Sequence, residues 1–313
     1  MKQQDFSFHS FQDHLEIKGT IIIPDQPIGV LQIVHGMSEH RHRYFAFMQE
    51  MAKQGWICVI HDHRGHGESV KGSADLGYFY DSSGTYIVED VHQLTYYMKQ
   101  HYSHLPYVLF GHSMGSLVVR AYTKKYDYEL NGLIVCGSPS KNSLLPFARA
   151  LTYMIYKLKG DHYRSKLIQH LAFSSFGKRF GNKPSENCWL CSDAEVVKAY
   201  DNDEKCGFIF TANGFRSLWK LMANVYDKDD WGMLNPQLPI LFIAGKDDPC
   251  IKNEHKFIQA FTLMKKIGYQ NAKAKLYPHL RHELLNETEK ETVYEDISEF
   301  LKSVMEASDK NKR

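Results

Sequence analysis

Six runs of nearly continuous apolar residues, separated by stretches with helical spacing, constrain the fold of this chain more than any other feature. The runs are residues 30–34, 56–61, 107–110, 132–136, 240–244 and 272–277. Stretches 43–53, 88–102, 114–126, 254–266 and 293–305 repeat apolar positions every three or four residues, as amphipathic helices do. Strands that are apolar on both faces and alternate with helices form mostly parallel sheets covered by helices. The pattern therefore predicts an α/β fold.

The two ends of the chain and one long internal segment depart from this alternation. Extended segments at residues 6–9 and 14–24 predict a hairpin at the start, and the polar residues 307–313 predict a frayed end. Between residues 141 and 231, helix-like stretches follow one another without a convincing strand. We therefore predict an α/β core formed by residues 1–140 and 232–313, with a helical cap at residues 141–231. Such a cap would lie over the carboxyl ends of the strands, where open α/β sheets bind ligands.

Composition and charge exclude several classes of protein. The 313 residues are 43% hydrophobic and 24% charged, which is typical of a globular chain, and the net charge of +2 does not favour nucleic-acid binding. The first residues lack the apolar stretch of a signal peptide, and no apolar run approaches the ~20 residues that span a bilayer. We expect a soluble, cytoplasmic protein.

The six cysteines include one C-x-x-C pair, Cys188 and Cys191, which could in principle hold a metal or perform redox chemistry. No second pair follows at the spacing of a zinc finger, and no thioredoxin-like βαβ unit surrounds it. We therefore predict no metal site.

The segment GHSMGS, at residues 111–116, follows a buried strand and begins a helix. In that context G-x-S-x-G indicates a nucleophile elbow, a sharp turn that lifts the hydroxyl of Ser113 above the sheet. Free backbone N–H groups at the start of the helix favour negative charge beside it. The alternative is that Ser113 only caps the helix.

Three further motifs follow predicted strands and agree with the nucleophile interpretation. A His-Gly turn, His35-Gly36, follows residues 30–34, where hydrolases of this type place a second oxyanion donor; its backbone N–H would act with that of Met114. Past residues 240–244, Asp247 and Asp248 are both candidates for an acid that orients a histidine. After the last strand, either His279 or His282 could be the base. The order Ser, Asp, His along the chain is that of α/β-hydrolases.

The chain resembles the monoacylglycerol lipase and lysophospholipase group of serine α/β-hydrolases over nearly its whole length. The motifs that carry the resemblance are HGMSEHRHRY (35–44), DHRGHGES (62–69), GHSMGS (111–116), GKDDP (245–249) and RHELLNE (281–287). The resemblance implies that Ser113 is the nucleophile, His282 the base and Asp248 the acid, with Met37 and Met114 as backbone oxyanion donors. It implies hydrolysis of a carboxylic ester through an acyl-enzyme, with no metal or organic cofactor. Members of the group often carry a small residue at the position of Met37.

The predicted substrate site combines residues near the serine with residues of the cap. Near the serine we expect His35, Gly36 and His112 to contact the substrate. In the cap we expect Leu151 and Met154 to do so, because they belong to an apolar stripe that could line an acyl tunnel. The stripe comprises Leu144, Phe147, Ala148, Leu151, Met154, Ile155 and Leu158.

The first half of the cap is strongly basic. Nine cations between residues 141 and 183 are opposed only by Asp161; they are Lys141, Arg149, Lys157, Lys159, Arg164, Lys166, Lys178, Arg179 and Lys183. A basic, amphipathic cap is suited to peripheral contact with an anionic membrane surface, and the alternative is an ordinary solvated helix face.

Two other functions remain open at this point. A proline-type serine aminopeptidase shares the serine elbow and the cap, but it must bind a cationic amine, which a basic cap suits poorly. A ligand-binding relative without catalysis is the second alternative, and the intact set of serine, acid and histidine argues against it.

Overall fold

A mixed sheet forms the centre of the computed structural model, which describes residues 1–181 and 185–310. Within these residues the sheet has eight strands: β1 Lys2–His9, β2 Glu16–Ile23, β3 Gly29–Val34, β4 Trp56–His61, β5 Tyr107–His112, β6 Gly132–Cys136, β7 Ile240–Gly245 and β8 Ala272–Tyr277. Their order is β1-β2-β4-β3-β5-β6-β7-β8. The pairs β1–β2 and β2–β4 are antiparallel, and the remaining neighbours are parallel. Every residue of β3 to β7 is buried, as the apolar runs require.

Helices cover both faces of this sheet. The helices outside residues 141–231 are α1 Phe45–Lys53, α2 Tyr86–Tyr102, α3 Met114–Tyr126, α8 Glu254–Ile267 and α9 Lys290–Lys310. One hydrophobic core joins the sheet to α2, α3 and α8, for example through Val91, Leu117 and Met264. A second core joins the opposite face to α1 and α9, for example through Met51 and Ile297. The predicted α/β fold is confirmed, and it is the α/β-hydrolase fold.

The register of the parallel strands brings their carboxyl ends to one edge. Val34 at the end of β3 pairs with Gly111 near the end of β5, and His112 pairs with Cys136 at the end of β6. Gly245 at the end of β7 pairs with Tyr277 at the end of β8. The loops that follow β3, β5, β6, β7 and β8 therefore leave the sheet at the same edge, the usual position of a ligand site in such folds.

Four helices lie between β6 and β7 among the described residues of the segment 141–231. They are α4 Leu145–Lys159, α5 Lys166–Lys178, α6 Ala194–Asp201 and α7 Ala212–Tyr226. The most deeply packed is α7, whose apolar face joins the core beside α3 and whose Trp219 Nε1 donates a hydrogen bond of 3.0 Å to Thr152 Oγ1 of α4.

Three details differ from the sequence-based expectation or extend it. The opening hairpin is present, but β1 begins at Lys2, before the predicted position. The expectation of a frayed end is wrong for residues 307–310, which continue α9; residues 311–313 lie outside the described residues. Within the part of the chain that the structure describes, every helix is too short or too polar to cross a membrane.

Candidate active site

Ser113 occupies a strained turn between β5 and α3. Its backbone φ is 53° and its ψ is −119°, a conformation that is costly for a residue with a side chain. The turn is held by a hydrogen bond of 2.9 Å from Ser113 N to Cys136 O and by Ser116 Oγ, which donates to Ser113 O. The Ser113 side chain makes no capping bond to α3, so helix capping does not explain the residue. The strain is typical of a nucleophile elbow.

Gly115 allows α3 to pack closely against the sheet behind the elbow. A Cβ atom at this position would lie 2.0 Å from Val34 O and 2.5 Å from His35 O. Both are backbone atoms of the strand β3 and the loop after it, so neither could move aside without disrupting the sheet. The second glycine of G-x-S-x-G therefore serves the close contact between helix and strand.

Asp248 and His282 form a buried pair beside the elbow. His282 Nδ1 lies 2.8 Å from Asp248 Oδ2, and Asp248 Oδ1 accepts a hydrogen bond of 2.7 Å from Cys250 N. Both side chains are almost completely buried. Because the carboxylate can only accept, the single proton of a neutral ring lies on Nδ1, and Nε2 then keeps its lone pair. This is the tautomer that a general base requires.

The other two candidates are placed elsewhere. The carboxylate of Asp247 is partly exposed and lies 3.4 Å from Arg179 Nη2. His279 is exposed and has a φ of 64°.

The structure thus brings Asp248 and His282 together, and both Ser113 and His282 line one pocket. Among the residues that the structure describes, no hydrogen bond joins the Ser113 hydroxyl to His282 Nε2, which instead lies 3.8 Å from Cys250 Sγ. Such bonds often form only when substrate is bound.

The two expected oxyanion donors lie on either side of Ser113. Met114 is the first residue of α3, so its N–H has no carbonyl partner within the helix. Met37 lies in the loop after β3, and both methionines line the same pocket as Ser113. The preceding amide is not available, because Gly36 N donates a hydrogen bond of 2.6 Å to Glu39 Oε1.

His35 and Gly36, which we expected to contact the substrate, do not line the pocket. The His35 ring is fully buried; its Nδ1 donates to Gly36 O at 2.9 Å, and its Nε2 accepts from His63 N at 2.9 Å. Burial lowers the pKa of His35 well below its usual value, so the ring is neutral. The expectation is corrected: these residues hold the loop that carries Met37.

His112 lines the pocket, as expected, and connects the elbow to the base. Its Nε2 lies 3.1 Å from His282 O, and its Nδ1 lies 3.0 Å from Tyr44 Oη and 3.4 Å from Glu39 Oε1. Burial opposes a positive charge on His112, but the hydrogen bond and charge of Glu39 outweigh it and raise the pKa of the imidazole. The histidine before the nucleophile therefore holds the backbone of His282.

Two buried carboxylates that the sequence interpretation missed, Glu39 and Glu283, also line the pocket. Arg43 donates to both oxygens of Glu283, at 2.6 and 2.7 Å, and to Glu39 Oε2 at 2.8 Å. Burial opposes the charge of Arg43, yet the two carboxylates raise its pKa well above the usual value. Glu39 and Arg43 lie in the segment HGMSEHRHRY, so the motif contained the signal although its chemistry was not apparent.

The apolar part of the pocket comes from other residues than those predicted. Its walls include Phe173 and Phe176 of α5, Trp189, and Leu218, Trp219 and Met222 of α7. Leu151 and Met154 are not among the lining residues, and 57% of Met154 is exposed. The expectation for these two residues is corrected, because α4 turns its other face, with Ala148, Thr152 and Ile155, toward the protein.

The segment 141–231 also holds the loop that carries Met37. Ser38, the next residue, has a φ of 54° and accepts hydrogen bonds at its carbonyl from Gly207 N at 2.9 Å and from Tyr200 Oη at 3.0 Å. Its hydroxyl donates to Phe208 O at 2.7 Å. The position of one expected oxyanion donor therefore depends on residues about 160 positions later in the chain.

The C-x-x-C cysteines take part in ordinary polar contacts. Cys188 Sγ lies 3.9 Å from Gly177 O, and Cys191 Sγ lies 3.2 Å from Asn286 O. Among the described residues, three potential metal ligands come together in two other places: His40, Asp203 and Cys206 in one, and Asp248, Cys250 and His282 in the other.

Comparison with known proteins agrees with this geometry. A monoacylglycerol lipase of Mycolicibacterium smegmatis is 27% identical over 294 residues, which cover 90% of each chain. A probable lysophospholipase L2 of Haemophilus influenzae is 31% identical over 131 residues, covering 40% of this chain and 39% of that one. The crystal structure of a thermostable carboxyl esterase from Bacillus coagulans in complex with glycerol superimposes with a TM-score of 0.90. That esterase is 27% identical, and the match covers 97% of this chain and 99% of the other. Residues 25–289 match the family described as serine aminopeptidase, S33, and the chain therefore belongs to this family of α/β-hydrolases.

Proposed function

We propose that this protein hydrolyses carboxylic esters of lipid-like substrates, such as monoacylglycerols or lysophospholipids, through an acyl-enzyme on Ser113. The observation that carries the proposal is the buried Asp248–His282 pair, whose histidine lines the same pocket as a serine in a strained elbow. The related monoacylglycerol lipase and carboxyl esterase support the choice of an ester bond.

In the proposed reaction, His282 acts first as base and then as acid in each half-cycle. His282 Nε2 removes the Ser113 proton, and the serine oxygen attacks the ester carbonyl. The backbone N–H groups of Met37 and Met114 stabilise the oxyanion, and His282 then protonates the leaving alcohol. Water repeats the sequence on the acyl-enzyme. Throughout, Asp248 keeps the proton of the neutral ring on Nδ1 and stabilises the imidazolium when it forms.

The direct test is Ser113→Ala, with exposed Ser143→Ala as a matched control. Loss of a catalytic nucleophile typically lowers the rate by about 10⁴ to 10⁶. Esterase activity and labelling by a fluorophosphonate should disappear together in Ser113→Ala and persist in the control. If Ser113→Ala were folded and still labelled, the proposed nucleophile would be wrong; a labelled wild type without turnover would favour the non-catalytic alternative.

The polar end of the pocket favours a neutral, hydroxyl-bearing leaving group over a cationic amine. Glu39 and Glu283 line it, but Arg43 occupies both oxygens of Glu283 and one oxygen of Glu39. The aminopeptidase alternative requires a carboxylate that is free to pair with the cationic amine of a peptide. A glycerol moiety carries no charge and needs no such carboxylate.

Substrate comparison tests this choice directly. We expect kcat/KM for a long-chain monoacylglycerol or lysophospholipid to exceed that for a prolyl-peptide amide by several orders of magnitude. Faster hydrolysis of the amide would assign the enzyme to the aminopeptidase alternative. Trp219 lies on the apolar wall of the pocket. Its replacement with alanine should lower kcat/KM for long-chain esters more than for short-chain esters, since each buried methylene of the substrate contributes about 0.8 kcal/mol to binding.

We further propose that the segment 141–231 forms a cap whose outer face contacts an anionic lipid surface. The segment exposes large apolar side chains at Leu144, which precedes α4, at Phe147, Met154 and Leu158 of α4, and at Leu167 and Leu171 of α5. We propose that these residues form an apolar ridge on the outer face. Leu171 also lines the pocket, so the ridge and the pocket wall share a residue. Exposed cations accompany the ridge at Lys141, Arg149, Lys157, Lys159 and Lys166.

Three of the predicted cations do not support this surface. Arg179 Nη2 lies 3.4 Å from Asp247 Oδ1, so its charge is paired. The guanidinium of Arg164 donates to Ile209 O and to Ala74 O, so it is held against the protein and does not extend toward a lipid surface. Lys183 lies outside the described residues.

The membrane proposal has a matched control outside the cap. Leu158 is 80% exposed on α4, and Ile258 is 46% exposed on α8. Leu158→Ser should reduce sedimentation with vesicles that contain phosphatidylserine, whereas Ile258→Ser should not. Raising the salt concentration should weaken binding of both, because salt screens the exposed lysines. Equal binding of Leu158→Ser and wild type would contradict the proposal.

A further inference from the structure

We infer that Cys250 Sγ and His282 Nε2 form a binding site for a thiophilic divalent cation such as Zn²⁺, and that a bound ion blocks the active site. The two atoms lie 3.8 Å apart in the structure. Both residues line the pocket that contains Ser113, so an ion that enters the pocket reaches them.

The separation of the two atoms suits a shared zinc ion. Zn–S bonds are about 2.3 Å long and Zn–N bonds about 2.0–2.1 Å, so a tetrahedral angle places the two ligand atoms about 3.6 Å apart. The observed 3.8 Å requires only a slightly wider angle at the metal. The remaining positions of the ion would face the pocket and take water or the Ser113 hydroxyl.

The imidazole is already in the form that binds a metal. In the neutral ring its Nδ1–H is directed to Asp248 Oδ2 at 2.8 Å, so Nε2 presents its lone pair to the pocket. A carboxylate behind a histidine is the usual outer-shell support of a zinc ligand, because it fixes the ring and strengthens its donor nitrogen. A catalytic Asp–His pair and a carboxylate–histidine–zinc unit therefore share the same arrangement.

The same carboxylate also holds the backbone of Cys250, and thereby the position of its thiol. Cys250 N donates to Asp248 Oδ1 at 2.7 Å, and the residue lies in the short 3-10 helix Pro249–Ile251. The sulfur is thus positioned by the backbone rather than by a flexible loop. On binding, Zn²⁺ takes the thiolate as ligand, and the thiol proton leaves to water.

An ion at this site competes for the atom that the proposed reaction needs. His282 Nε2 cannot accept the Ser113 proton while its lone pair binds zinc, so hydrolysis stops until the ion dissociates. This consequence rests on the proposed function, whereas binding itself does not. We expect reversible inhibition by Zn²⁺ and Cd²⁺ that a chelator relieves. Ca²⁺ and Mg²⁺, which prefer oxygen ligands, should have no effect at the same concentration.

The test compares Cys250→Ser and Cys250→Ala with Cys206→Ser in the full chain. Cys206 is the matched control, because it belongs to the other group of potential ligands, with His40 and Asp203. Two readouts are needed: the Zn²⁺ concentration that halves esterase activity, and the number of Cd²⁺ ions bound, from thiolate-to-metal absorption in the ultraviolet. The second readout does not depend on catalysis.

We expect substitution of Cys250 to raise the half-inhibiting Zn²⁺ concentration at least about 10-fold, since loss of even an outer-shell partner has that effect. It should also remove one bound Cd²⁺, while Cys206→Ser keeps full Zn²⁺ inhibition. Unchanged inhibition and unchanged Cd²⁺ binding in both Cys250 variants would overturn the inference, as would loss of inhibition in Cys206→Ser alone. If Cd²⁺ binds through Cys250 but does not inhibit the esterase, the metal site would be supported and the proposed role of His282 as the base would be refuted.

Discussion

Mild acid should unfold this protein, because four histidines are buried uncharged behind the loop that carries Met37. The rings of His35, His61, His63 and His66 are fully buried, and their centroids lie 4.3 to 6.0 Å from a neighbour in the group. Burial lowers the pKa of His61 to about 3 and that of His66 to about 4, and it lowers the other two as well. Within residues 1–181 and 185–310, neither ring nitrogen of His61 has a hydrogen-bond partner.

The sign and size of the effect follow from proton binding. An unfolded histidine has a pKa of about 6.5, so below that pH the unfolded chain binds protons that the folded chain does not. Stability is therefore lost as the pH falls below about 6.5, by about 1.4 kcal/mol per pH unit for each histidine whose folded pKa lies lower still. Between about pH 7 and about pH 5, His61 alone contributes a loss of about 2 kcal/mol. His66, with a pKa of about 4, contributes a similar loss, and the lowered pKa values of His35 and His63 act in the same direction. These losses are a large part of the stability of a typical domain, about 5–15 kcal/mol.

Urea unfolding at a series of pH values, followed by circular dichroism, measures the loss. The variant His61→Leu replaces the titrating ring with an apolar side chain of similar volume and breaks no hydrogen bond to the described residues. Exposed His255→Gln is the control. Between about pH 7 and about pH 5 the free energy of unfolding should fall by about 2 kcal/mol less in His61→Leu than in wild type or the control. Equal pH dependence in all three proteins would refute the reasoning, because it would mean that His61 is protonated in the folded state.

Three further predictions concern the site and its support. Asp248→Asn should lower kcat about 10⁴-fold, the effect of a wrong histidine tautomer, while Asp247→Asn should leave kcat within a few-fold; a larger loss at Asp247 would exchange their roles. Tyr200→Phe removes one of the hydrogen bonds to Ser38 O and should lower kcat more than it raises KM, whereas an unchanged kcat would show that the remaining contacts suffice. Gly115→Ala places a Cβ 2.0 Å from a backbone oxygen and should lower the free energy of unfolding by about 3 kcal/mol or more in the same urea assay, and a wild-type value would contradict the close packing.

Most of the fold follows from local sequence. Strands such as β3, β4 and β7 are apolar on both faces, and their burial leaves few arrangements other than a parallel sheet between helix layers. The elbow around Ser113 was also predictable, because a strand, a G-x-S-x-G turn and a helix are consecutive in the chain. The hairpin of β1 and β2 is local for the same reason.

The sequence alone determined the fold class, the elbow and a short set of candidate acids and bases, because all of these depend on neighbouring residues. It could not choose between Asp247 and Asp248 without a known relative, since both follow the same strand. Tertiary structure decided that choice by burying Asp248 against His282, 34 positions away. It also decided which face of α4 is inward and where Cys250 and Arg43 lie. These outcomes depend on contacts between distant segments, and no local periodicity encodes them.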